Sequence, residues 1–167
     1  PNNEVKNGFL SVVASDYLKP RTEINSWVQD VVDALQEGKA EEFGVLLTSF
    51  LSDIPYTMRR KENERERERY FHYTFYLILR LSVYTVYTEK QQSEGREDCI
   101  VETDRYIYIF EFKLDGTAAD ALRQIEEKGY ARPYLNDPRR LYRIGVSFSS
   151  ETGTVEEYEV EPEVLSL

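Results

Sequence analysis

With 167 residues, a formal net charge of −10 and an ordinary apolar content, the chain has enough material for one sizeable core, but not for two full-sized independent domains. No apolar run approaches the roughly 20 residues of a membrane-crossing helix, and a single cysteine (Cys99) and a single histidine (His72) exclude both an internal disulfide and a Cys/His zinc cluster within one chain. A reducing, cytoplasmic setting follows from that reading. The acidic balance counts against nucleic acid as a partner, since nonspecific affinity for it comes from phosphate neutralisation by Lys and Arg.

The first 60 residues read as helices. Val5, Phe9, Val12 and Val13 form one apolar stripe, Ile24, Trp27, Val28, Val31 and Leu35 a second, and Phe43, Leu46, Leu47 and Phe50 a third, with Pro20, Gly38 and Pro55 between them. None carries a polar cluster, so these stripes are assigned to packing. The opening Pro1 and the lack of an export signal suggest a piece of a longer polypeptide, with residues 1–60 a helical region and 61–167 the functional domain. The run Lys61–Arg69 (KENERERER) alternates in sign, and Asn63 with Glu66 fits a capping box, so a helix is expected to continue through Phe75 and Leu79. Its inward stripe passes through Leu79, Phe75 and His72 back to Glu68, an unusual place for a carboxylate. His72 and the aromatics of Tyr70–Tyr76 read as core.

Three strands are expected next: Val83–Thr88, Asp98–Thr103 and Tyr106–Leu114 (YIYIFEFKL), the last dense in β-branched and aromatic residues. A helix follows, capped by Thr117 and stopped by Gly129, with Ala121, Leu122 and Ile125 on its apolar face. Pro133 and Pro138 mark an irregular connection to strands at Leu141–Ser149 and Val155–Val160. Tyr106 to Leu141 is thus a βαβ crossover with parallel strands, expected to be right-handed. The arrangement is an α/β fold with one mixed sheet and flanking helices.

Acid-X-Lys occurs four times, at Glu4/Lys6, Glu37/Lys39, Glu111/Lys113 and Glu126/Lys128. Only Glu111/Lys113 falls in a predicted strand, where the period of two places both side chains on one face with Ile107 and Ile109. If the preceding hairpin turns at Asp104–Arg105, Asp98 lies directly opposite Glu111. Their Cβ atoms would then be roughly 4.5–5.5 Å apart, and two carboxylates at about 4 Å repel by on the order of 4 kcal/mol at an effective dielectric near 20. A divalent cation or a shared proton relieves that repulsion. Oxygen ligands favour Mg²⁺ or Mn²⁺. Lysine beside such a site suits phosphodiester hydrolysis, in which it stabilises developing charge or orients water. Glu68 is a third candidate carboxylate, and Gln124, with Lys128 four residues on, lies on the helix that crosses back over the sheet. Between Ala121 and Gly145 six basic residues face three acidic ones, which leaves room for a basic face. Arg96, Arg123 and Lys128 are the candidates for contacting phosphate.

The stretch Gly95–Tyr134 (GREDCIVETDRYIYIFEFKLDGTAADALRQIEEKGYARPY) resembles the PD-(D/E)XK nuclease superfamily, and in particular the nuclease domain found C-terminal to bacterial AAA-type ATPase-like proteins. The likeness extends more weakly to Glu68–Leu81 and Pro1–Leu10. It implies a restriction-endonuclease-like αβββαβ core, Mg²⁺-dependent cleavage of DNA, and an ATPase region in the same polypeptide. Asp98 then takes the place of the second motif's acid, Glu111 and Lys113 that of the (D/E)XK pair, Glu68 the early helical acid and Gln124 the helix glutamine. Glu97 stands where the literal motif has proline. In relatives with a glutamine-then-tyrosine helix motif the tyrosine comes four residues on, where this chain has Lys128; Tyr130 follows two later. Two alternatives stay open: a silent module that binds nucleic acid or protein through the Arg123–Arg143 stretch, and a structural appendage that docks on the ATPase or forms a homodimer.

Overall fold

The computed structural model describes residues 21–53, 85–87 and 98–162, with helix residues 21–25 and strand residues 85–87, 98 and 162 described by their backbone. The stripe Val5–Val13, the helix of residues 61–82 that carries Glu68 and His72, the outer residues of the expected Val83–Thr88 strand, Arg96 and Glu97 fall outside them.

Helices α1 (Arg21–Gln36) and α2 (Ala40–Asp53) precede strands β1 (Thr85–Tyr87), β2 (Asp98–Glu102) and β3 (Tyr106–Leu114). Helix α3 (Ala118–Lys128), a 3₁₀ turn (Arg132–Tyr134), β4 (Arg140–Phe148) and β5 (Val155–Pro162) complete the order. The five strands form one sheet in chain order. β3 and β4 are parallel, as the intervening helix requires, and every other neighbouring pair is antiparallel.

Strand alternation divides the core in two. Tyr106, Tyr108, Phe110 and Phe112 of β3 join Val101, Ile144, Val146 and Phe148 against α1 and α2, which contribute Val31, Leu35, Phe43, Leu47 and Leu51. The helices therefore share a core with the sheet. The tyrosines act as both packing and anchors: Tyr108 Oη donates to the carbonyl of Leu35 at 2.5 Å and Tyr158 Oη to that of Ala40 at 2.8 Å. Trp27 stacks on Phe50 at 4.6 Å and donates its indole N–H to Leu46 O.

The other face is covered by α3. Ile107, Ile109, Leu141, Ile125 and Ala131 form its core, with Ile100, Leu122, Tyr130 and Tyr134 packed around them. Thr117 caps α3 by accepting from the Asp120 N–H at 3.0 Å. At the far end Gly129, with φ of 67°, donates to Glu126 O while Tyr130 donates to Ile125 O. That pair of bonds is a Schellman motif, with the Tyr130–Ile125 contact that accompanies it.

Arg139 ties the connection after α3 to the β2–β3 turn. It pairs with Glu102 at 2.6 Å and Asp137 at 2.7 Å, and donates to Thr103 O at 3.1 Å. Its hydrogen bonds and charge hold the Asp137 carboxyl at about 2, below the usual 3.8. A folded-state value depressed in this way contributes stability above about pH 4 that is lost as pH falls toward 2. Arg139→Ala is accordingly expected to lower the melting temperature at pH 6 and to flatten its decline between about pH 4 and 2. Circular-dichroism melts across that range check it; an unchanged acid slope would contradict it.

Among the described residues no helix is long and apolar enough to cross a membrane.

Candidate functional site

Hairpin geometry sets the first relation. Thr103 N donates to Tyr106 O, closing the β2–β3 turn at Asp104–Arg105, and the register then runs Glu102–Ile107, Ile100–Ile109 and Asp98–Glu111. Directly opposed residues share a face. Ile100 belongs to the cluster under α3 while Cys99 and Val101 belong to the opposite one, so alternation assigns position 98 to the α3 face. The acid pair expected from the sequence is thus in register.

Glu111 is 1% exposed. A carboxylate taken that far from water costs several kcal/mol unless charges or hydrogen bonds compensate it. Its partner in β4 is Gly145, which has no side chain to fill the space beside it. A Cβ built there would lie 2.2 Å from the carbonyl oxygen of Ala118 and 3.1 Å from Leu122 Cγ, so the first turn of α3 rests on β4 at this residue.

Lys113 lies one pleat beyond Glu111 on the same face, and its Nζ donates to Gln124 Oε1. Two candidates separated by eleven positions in the chain therefore meet. They meet because the turn between β3 and α3 is tightly held: Asp115, in the left-handed region with φ of 55°, donates its N–H to Phe148 O and receives Ser150 through its carboxylate. Ser147, fully buried, donates to Gly116 O at 2.7 Å, and Glu157 of β5 accepts from the Ala118 N–H at 2.7 Å. Neither Ser147 nor Glu157 is marked by any local motif, and both gain their place only through long-range strand register.

The remaining candidates are arranged differently. Arg123 pairs with Asp120 at 2.7 Å and lies 3.8 Å from Glu127, and Lys128 sits over the ring of Tyr130 at 5.8 Å, so both engage neighbours on or just beyond α3. The basic residues of the Ala121–Gly145 stretch do not make one face. Arg140 stacks on Tyr142 on the α1/α2 side, Arg143 is in register with Ile109 on the α3 side, and Arg139 is committed to its ion pairs. Glu68 and Arg96 lie outside the described residues.

As a metal site the donor set is all oxygen. The lone cysteine, Cys99, is buried in the opposite core, which removes the soft ligand from this face. Among the described residues no three His, Cys, Asp or Glu side chains group together. The Asp98–Glu111 register and the donor type fit a hard divalent ion.

A family model described as the PD-(D/E)XK nuclease superfamily matches residues 66–158, more than half of the chain. A curated protein of Azotobacter chroococcum mcd 1, described as an uncharacterized protein in the vnfD 5′ region, is 29% identical over 163 residues, covering 96% of this chain and 32% of its own length. The chain thus spans about a third of that relative. No solved structure matches it.

Proposed function

We infer, because this chain belongs to the PD-(D/E)XK nuclease superfamily, that it hydrolyses phosphodiester bonds in DNA and uses Mg²⁺ or Mn²⁺ to do so. One observation carries the assignment to residues: Asp98 and Glu111 stand opposite each other in register, with Lys113 one pleat on and tied to Gln124. Asp98 and Glu111 would hold the metal, with Glu68 as a further carboxylate. The bound ion would supply Lewis acidity toward a phosphoryl oxygen and make water a stronger nucleophile at neutral pH.

The chain's own part is positional and electrostatic. Lys113 presents a cation where negative charge builds on the phosphoryl group, and the Gln124 amide restricts a side chain that would otherwise sample many rotamers. Covered by α3 and the α3-side core, the site face holds Glu111 away from bulk water, where fixed charges act with less screening. Arg96, Arg123 and Lys128 are assigned to phosphate contacts, which position a nucleic acid without reading its sequence.

We further propose that the domain works with an ATPase region of the same polypeptide, as the sequence resemblance implies. A rival reading, a silent nuclease-fold module, draws support from the net charge of −10 and from the exposed acids of β5, Glu156, Glu157, Glu159 and Glu161. Titration calorimetry with Mn²⁺ separates the two. Binding that Asp98→Asn weakens at least 10-fold, together with cleavage of plasmid, linear or single-stranded DNA, is expected of the nuclease. Heat changes equal to buffer, with no cleavage of any substrate, would leave the silent module.

A further inference from the structure

Lys113, Ser147 and Glu157 are successive partners in register across β3, β4 and β5 and so form one row on the α3 face. Ser147 and Glu157 both grip the segment that follows the lysine. Ser147 Oγ donates to Gly116 O, and Glu157 Oε2 accepts from Ala118 N–H, each at 2.7 Å. A Cβ at Gly116 would lie 3.0 Å from Lys113 Cβ, so this turn runs directly against the lysine's stem. Ala118 opens the helix whose Gln124 receives Lys113 Nζ.

The helix start divides its orphan donors between two sources. Thr117 serves Asp120 N–H, and the first N–H, that of Ala118, is served from another strand. A carboxylate is the favoured group there because it also faces the positive end of the helix dipole. The row therefore links an edge strand to the lysine through α3.

We propose that Glu157 and Ser147 are positioning residues that set the Lys113–Gln124 contact by fixing the start of α3, an inference that rests on the nuclease reading for its kinetic part. Glu157→Ala, Glu157→Gln and Ser147→Ala are compared with the wild type in two measurements. The first is the ¹⁵N–¹H spectrum of the metal-free protein, following the Ala118 backbone and Gln124 side-chain amides. The second is kcat and KM for DNA cleavage in Mn²⁺. Glu157→Ala is expected to shift both amide signals and to lower kcat about 10-fold with KM unchanged, since small misplacement of a catalytic group is costly in rate. Glu157→Gln keeps an acceptor oxygen and is expected to restore the Gln124 signal and the rate, while Ser147→Ala follows Glu157→Ala. Wild-type Gln124 signals in Glu157→Ala, or equal loss in the Ala and Gln variants, would overturn the proposal. If the wild type cuts no DNA the nuclease reading fails by itself, and the Gln124 amide alone then decides this one.

Discussion

Lys113→Ala should abolish most DNA cleavage, by about 10²–10³-fold in kcat, while leaving a folded protein. The lysine is half-buried at the end of β3, beyond the apolar residues that hold the strand, and its Nζ bonds Gln124 rather than a residue of the core. Losing that one bond costs about 0.5–1.5 kcal/mol, which at about 2–4 °C per kcal/mol for a chain of this size is a small shift in melting temperature. Lys113→Arg is not expected to rescue activity, because a planar fork with five donors replaces a compact point charge where Gln124 offers one oxygen. Plasmid nicking in Mn²⁺ beside a thermal melt measures both quantities. A Lys113→Ala protein that nicks at the wild-type rate would place the chemistry elsewhere, whereas an unfolded one would show the lysine to be structural.

How legible this site was in the sequence depends on how far apart its parts are in the chain. The Asp98–Glu111 pairing follows from one hairpin: with a turn at Asp104–Arg105 the register is counted outward residue by residue, and the strand bounds Tyr106–Leu114 and the caps Thr117 and Gly129 are equally local. Gln124 was reachable because it lies within the same crossover. Ser147 was not, since a parallel register depends on how α3 packs, and nothing in Gly116–Arg139 states that Lys113 falls beside residue 147. Glu157 was harder still. Phe148 pairs with Val155, and an even count back from there would place Glu156 beside Ser147. The irregularity between Ser147 and Phe148 inserts one residue and brings Glu157 to that place instead. A one-residue slip exchanges the two faces, so pattern alone would choose the wrong glutamate. The apolar stripes of α1 and α2 were visible as packing surfaces, but not their partner, the aromatic face of the sheet. Composition misleads about the basic stretch in the same way, because β4 sends Arg140 and Arg143 to opposite sides.

Gly145→Ala carries the other large expected effect, and it tests the close approach of α3 to the sheet. The added methyl would stand 2.2 Å from Ala118 O, a backbone atom of the helix's first turn that no rotamer change can withdraw. Relief requires α3 to lift from β4 by about 1 Å, and overpacking of this kind costs about 1–3 kcal/mol. The melting temperature should fall by several degrees, at about 2–4 °C per kcal/mol. Catalysis should fall further than stability implies, because lifting the helix carries Gln124 away from Lys113 and loosens the Glu157–Ala118 bond, and a 1 Å displacement of positioned groups can cost about 10²-fold. A second substitution distinguishes this cause from ordinary side-chain crowding. Leu122→Ala removes only the side-chain neighbour at 3.1 Å and leaves both Ala118 backbone atoms, so in the Gly145→Ala background it should recover neither melting temperature nor kcat. Recovery in the double variant would mean that the side chain, not the helix backbone, limits the packing. The glycine would then be a matter of local volume, with no hold over the lysine's geometry.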